Sequence, residues 1–210
     1  MPEINKIDKI FIIHYKELVE RKTYLLNSLN KLGIKNYEFI ENSYKDTITT
    51  ETLDKYCKNN KLSLTEKCIA IAHIDIYRKI IEDKLQFCLI LEDDAILDND
   101  FVNRLNLYLE TCPIDIEIAC INNGCNLHIN NGLIENNKYW YKTFYTRTCC
   151  SYLITNGCCQ KLLNSIIPFD NAIDHELNKQ IKNNDINMYW LEPTLVVDGS
   201  GYIFKSANLL

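Results

Sequence analysis

CLILEDDAIL, Cys88 to Leu97, is the stretch that decides the fold. Cys88, Leu89, Ile90 and Leu91 are apolar without alternation and too few for a buried helix. That is the pattern of an interior strand covered on both faces in a mostly parallel sheet. Glu92, Asp93 and Asp94 follow where such a strand leaves its core. In open α/β sheets ligands gather beyond the carboxyl ends of the strands, so the triplet stands where a site is expected. Carboxylates this close raise one another's pKa unless a cation or hydrogen-bond donors compensate. A hard divalent ion, Mg²⁺ or Mn²⁺, shared with a diphosphate is one such compensation. A solvated acidic turn is the plain alternative.

Upstream, Ile10, Phe11, Ile12 and Ile13 form a first short strand, with His14-Tyr15 at its end. From Glu17 to about Lys31, Leu18, Tyr24, Leu25, Leu29 and Leu32 give a helical apolar stripe, and Gly33 is placed to end it. Tyr37 to Ile40 is the next strand, so the chain opens as a βαβ unit. Glu41 to Asn60 is polar, with Tyr44 and Tyr56 as its larger side chains, and reads as a loop with a short helix. Ser63-Leu64-Thr65-Glu66 is a capping box that starts a helix running to about Glu82. Ile69, Ala72, Ile76 and Ile80 pack along it, while Glu66, His73 and Tyr77 share a neighbouring face.

Downstream, Asp98 or Asn99 is placed to cap a helix carrying Phe101, Leu105, Leu107 and Leu109. Ile116 to Ile121 is a strand. The aromatic run Tyr139, Trp140, Tyr141, Phe144 and Tyr145 suits an antiparallel hairpin or stacking on a sugar. Ser151 to Ile154 returns as a core strand before a helix from Gln160 to Ile166. Asp170, Asp174, His175 and Glu176 make a second polar cluster at the next short helix, and Ile186 to Leu191 is a late strand. Leu195, Val196 and Val197 lead to a flexible Asp198-Gly199-Ser200-Gly201 segment. With no repeat and no linker, the expectation is one α/β domain over residues 1–210.

The 210 residues are enough for one sizeable core, and 47% hydrophobic with 24% charged residues is ordinary for a folded soluble protein. A net charge of -5 argues against a nucleic-acid partner. Ten cysteines include Cys68, Cys88 and Cys120 within apolar segments and the adjacent pairs Cys149-Cys150 and Cys158-Cys159, which suit reduced, buried thiols better than a disulfide lattice. No spacing fits structural zinc. Without a signal-peptide core or a membrane span, a cytoplasmic protein is expected. The asparagine-, isoleucine- and lysine-rich usage fits an A/T-rich genome, including that of a large DNA virus, for which the compartment would be the host cytoplasm. A homodimer is compatible with the sequence.

The order of motifs resembles glycosyltransferase family 25, which includes bacterial lipooligosaccharide and collagen hydroxylysine galactosyltransferases. FIIHYKELVERK (Phe11–Lys22) resembles its opening strand and recurrent arginine, here Arg21. LSLTEKCIAIAH (Leu62–His73) resembles a segment with a glutamate and a later Ser-His, although Ala72 replaces the serine. LILEDDAIL resembles the acidic signature, SYLITNGCCQKLL (Ser151–Leu163) the Tyr-containing strand and helix, and FDNAIDHEL (Phe169–Leu177) the later aspartate motif. Asp198 stands where a glutamine often precedes Gly199-Ser200, so acceptor identity does not carry over.

The resemblance implies a GT-A-like nucleotide-sugar binding fold and inverting transfer from a UDP-sugar, commonly UDP-galactose, to a hydroxyl of a glycan or hydroxylysine-type acceptor. It implies Mn²⁺ or Mg²⁺ at Glu92 and Asp94. Asp93 is assigned to ribose or donor-sugar hydroxyls, and Arg21 to a donor phosphate or a carboxylate shaping the pocket. His73 is assigned either to the ligands or to the helix–sheet interface. Asp174 is the first candidate for the base that inversion requires, Glu176 the second, with His175 beside them. The rival reading is a catalytically silent sugar-nucleotide or glycan-binding module.

Overall fold

The structure is a computed structural model that describes residues 4–41, 45–59 and 61–204. Tyr44 of the polar stretch, Asn60 at its end and the tail beyond Phe204 lie outside them. The first half runs β1 (Lys9–Ile13), α1 (Val19–Lys31), β2 (Tyr37–Ile40), α2 (Thr50–Tyr56), α3 (Leu64–Glu82) and β3 (Phe87–Glu92). It continues with β4 (Ala95–Leu97), α4 (Phe101–Glu110), β5 (Ile118–Cys120), β6 (Trp140–Thr143), β7 (Ser151–Thr155) and α5 (Asn156–Leu163). The last elements are α6 (Ile173–Asn183), β8 (Met188–Leu191) and β9 (Val196–Asp198).

Seven strands form one sheet in the order β2-β1-β3-β7-β5-β8-β6. β1 is parallel to both β2 and β3, and β5 is parallel to β8; the β3–β7, β5–β7 and β6–β8 pairings are antiparallel. The chain is therefore α/β, with a helix-flanked central sheet compatible with a GT-A-like fold. Its first three strands are wholly parallel. The aromatic run is not a hairpin: β6 pairs with β8 at the sheet edge, and β5 and β8 separate it from its chain neighbour β7.

The unbroken apolar runs in β1 and β3 are explained by two cores, one on each face. Phe11, Ile13, Cys88 and Ile90 pack with α3, α5 and α6, while Ile10, Ile12, Leu89 and Leu91 pack with α1 and α4. α3 starts as its sequence requires: Ser63 Oγ accepts from the Glu66 N–H at 3.2 Å, and Glu66 Oε2 accepts from the Ser63 N–H at 2.7 Å. α4 starts one residue later than expected, with Asp100 at its N-cap, because Asp98 Oδ1 accepts from the Asp100 N–H at 2.8 Å and so closes the turn before the helix.

β4 leaves the main sheet and pairs antiparallel with β9, Ala95 opposite Asp198 and Leu97 opposite Val196. The Asp198–Gly201 segment, expected to be flexible, is the end of this ribbon and a 3-10 turn, with Asp198 Oδ1 accepting from the Ser200 N–H at 3.1 Å and hydroxyl at 2.6 Å. All ten cysteines are unpaired, and all but Cys112 and Cys125 are buried. Among the described residues, no helix is long and apolar enough to cross a membrane.

Candidate active site

The end of β3 divides the three acids. Glu92 continues the face of Cys88 and Ile90, toward α3, where its Oε1 lies 3.3 Å from His73 Nε2. Asp93 and Asp94 lie past the strand end and turn toward α1. There the buried Arg21 guanidinium donates from Nη1 to Asp93 Oδ1 at 2.8 Å and to Asp94 Oδ2 at 3.1 Å. Asp93 Oδ2 also accepts from His14 Nδ1 at 2.7 Å. Of the two roles open to Arg21, the structure supplies the carboxylate one. Asp93, expected on ribose or sugar hydroxyls, has both oxygens engaged by His14 and Arg21.

His14, Arg21 and the three acids line a cavity of about 410 Å³. Glu92, Asp93, Asp94 and Asp198 contribute its acidic part, and Ala172 to His175, at the start of α6, contribute another wall. Ile13, Leu18, Ile40, Ile69 and Ile173 make much of the rest apolar. Burial pushes the Glu92 carboxyl up to about 8, with Asp198, Asp93 and Asp174 adding repulsion and Arg21 opposing it. Burial likewise pushes Asp94 up to about 8; Glu92 is the next cause, and Arg21 again opposes.

Asp94 Oδ1 is buried and has no hydrogen-bond partner among the described residues. Ligand atoms of Asp94, Asp198 and Cys150 lie within 4.8 Å of one another. The structure thus groups Asp94 with Asp198 and Cys150, while Glu92, expected to share a metal with Asp94, lies toward α3. Burial raises the Cys150 thiol well above its ordinary value, and Asp94, Asp198 and Glu92 raise it further. It therefore remains a neutral neighbour of the two aspartates.

The second polar cluster divides. Asp174 lines the cavity, with its Oδ1 accepting from the His175 N–H at 2.9 Å, and the exposed His175 lies beside it. Glu176 does not line the cavity. It is buried, accepting from Gln180 Nε2 at 2.7 Å and Asn171 Nδ2 at 3.1 Å and pairing with Lys179 at 3.2 Å. The second candidate base thus faces away from the cavity, and its oxygens are engaged by Gln180, Asn171 and Lys179. His73 likewise lies behind the cavity wall: it is fully buried, and burial lowers its pKa to about 3.

His14, read only as the end of the first strand, and Asp198, read only as a departure from the family's glutamine, had no site role assigned from sequence. His14 follows a readable signal, since Ile13 pairs with Glu92 in parallel register and the next residues along each strand become neighbours. Asp198 had no local signal, because its approach to Asp94 depends on the β4–β9 ribbon. A family model described as Glycosyltransferase family 25 (LPS biosynthesis protein) matches residues 7–177. No curated protein gives a significant match.

Proposed function

Since this chain belongs to glycosyltransferase family 25 and is a glycosyltransferase, we propose that it moves a hexose, galactose first, from a UDP-sugar to a hydroxyl of a glycan or hydroxylysine-type acceptor, with inversion. The observation that carries this reading is the buried, unpartnered Asp94 Oδ1 on the wall of the cavity. A buried carboxylate oxygen without a donor calls for a cation or a proton.

Asp94 and Asp198 would hold the divalent ion, with the charge of Glu92 nearby, and oxygen donors suit Mn²⁺ or Mg²⁺. Bound there, such an ion would offset charge developing on the departing diphosphate. Arg21 and His14 clamp Asp93, and Arg21 fixes Asp94 Oδ2, so that Oδ1 keeps a defined direction. The apolar lining limits the water available to compete with the acceptor.

On the acceptor side, Asp174 is the base. As the acceptor oxygen bonds to the anomeric carbon, the bond from that carbon to the diphosphate oxygen breaks, and the hydroxyl proton passes to the Asp174 carboxylate. The ten unpaired thiols support a reducing, cytoplasmic setting. A UDP-sugar panel with glycan and hydroxylysine acceptors, run with and without Mn²⁺, tests the reading. Metal-dependent transfer from one UDP-hexose is expected; absence of transfer from every donor rejects it.

A further inference from the structure

Behind Glu92, a line of polar atoms crosses the apolar core and is unused in the transfer step. Tyr77 Oη lies 2.8 Å from Tyr152 Oη, Tyr152 Oη lies 2.6 Å from His73 Nδ1, and His73 Nε2 lies 3.3 Å from Glu92 Oε1. Tyr77 and His73 are 0% exposed and Tyr152 is 1% exposed. Each group therefore depends on the next for its hydrogen bonds.

The far end sets the direction. Tyr77 Oη has Tyr152 as its one hydrogen-bond partner among the described residues. If Tyr77 donates, Tyr152 accepts and passes its own O–H to His73 Nδ1, which must then be the unprotonated nitrogen. The imidazole proton sits on Nε2 and is donated to Glu92, so every polar hydrogen in the line is used. If the line ran the other way, the Tyr77 hydroxyl hydrogen would end in the core with no acceptor, an orphaned donor carrying its full desolvation penalty. Both phenols are held protonated by burial, so neither can take the role of a phenolate acceptor.

We infer that Tyr77, Tyr152 and His73 form a one-way hydrogen-bond chain, making His73 a positioning residue that presents a fixed Nε2–H to Glu92 Oε1. The role in transfer rests on the proposed function; the direction of the chain does not. Glu92 is thereby tethered through one oxygen while Oε2 takes no part in the line. His73, with its free lone pair already turned to Tyr152, has none to offer a substrate proton. Partners that orient the acids of a metal or phosphate site commonly contribute 10–100-fold to affinity or rate.

Two measurements test this. In ¹⁵N-histidine-labelled full-length protein, free of metal, His73 is expected as the neutral Nε2–H tautomer, unchanged in Tyr77→Phe, where Tyr152 still donates. A His73 with its proton on Nδ1 overturns the inference. In transfer assays His73→Leu is expected to lower kcat about 10–100-fold with the acceptor KM unchanged. His73→Gln, which restores an N–H donor, should recover part of the loss. A folded His73→Leu with parental kcat also overturns the positioning role. If the parent chain transfers no sugar, the proposed function fails by itself, while the tautomer still decides the direction of the chain.

Discussion

Gly199 lies against Asp94: its N–H donates to the Asp94 carbonyl oxygen at 3.0 Å, and a Cβ at position 199 would come within 2.5 Å of that oxygen. The same Cβ would meet the Phe204 ring at 2.9 Å. Backbone cannot yield as a flexible side-chain tip can, so Gly199→Ala should push the 3-10 turn, and Asp198 with it, away from Asp94. The expected cost is about 1–3 kcal/mol from overpacking, with weaker Mn²⁺ binding than in the parent. Thermal unfolding and a metal titration check both, and parental values in each would show that the ribbon absorbs the methyl group.

The raised Glu92 and Asp94 carboxyls give a pH dependence of stability with a definite sign. Their folded values of about 8 exceed the ordinary 4.5 and 3.8, so between these limits the folded chain holds more protons than the unfolded one. Their contribution is complete below about pH 4 and is lost as pH rises through about 8. His73 acts oppositely: its folded value of about 3 lies below 6.5, and its contribution is fully present above pH 6.5. The fall from pH 6.5 to above 8 therefore reports the two acids. Chelator-treated protein should lose several degrees in Tm over that range, at roughly 2–4 °C per kcal/mol for a chain of this size. Asp94→Asn should flatten the curve; an equally steep curve in that variant would exclude Asp94 as its source.

Asp174→Asn should lower kcat by about 10²–10⁴-fold while leaving UDP-sugar binding within about twofold, since a base acts on the acceptor proton and not on the donor. Single-turnover transfer and equilibrium donor binding separate the two effects. A matching loss of donor affinity would instead make Asp174 a donor ligand.

Glu176, two residues away, should behave as a structural residue. Glu176→Ala strands the Gln180 and Asn171 amide donors and the Lys179 partner, a cost of about 1–3 kcal/mol. At a temperature where the variant remains folded, kcat should stay within about threefold of the parent. A large kcat loss without destabilisation would return Glu176 to the list of bases.

The βαβ opening and the acidic strand end were legible because they are local. An unbroken apolar run marks β3, its termination marks the acids, and Ser63 with Glu66 announces α3 three residues apart. The direction of β7 was not legible, since antiparallel insertion beside β3 depends on partners remote in sequence. The strand end also explains the redistribution within the site: Glu92, still in β3, faces α3 and meets His73, while Asp93 and Asp94 lie past the strand and turn to Arg21 of α1. Glu176 illustrates the opposite hazard. It shares a motif with Asp174, yet the helical rotation between the two sends one to the cavity and the other into hydrogen bonds with Gln180.

The β4–β9 ribbon has a consequence for which part of the molecule completes the site. Every strand of the seven-stranded sheet, together with Glu92, Asp94 and Asp174, comes from residues up to Leu191, whereas Asp198 and Gly199 belong to the segment after it. The acidic group around Asp94 is thus closed by β9 docking onto β4 and not by the sheet itself.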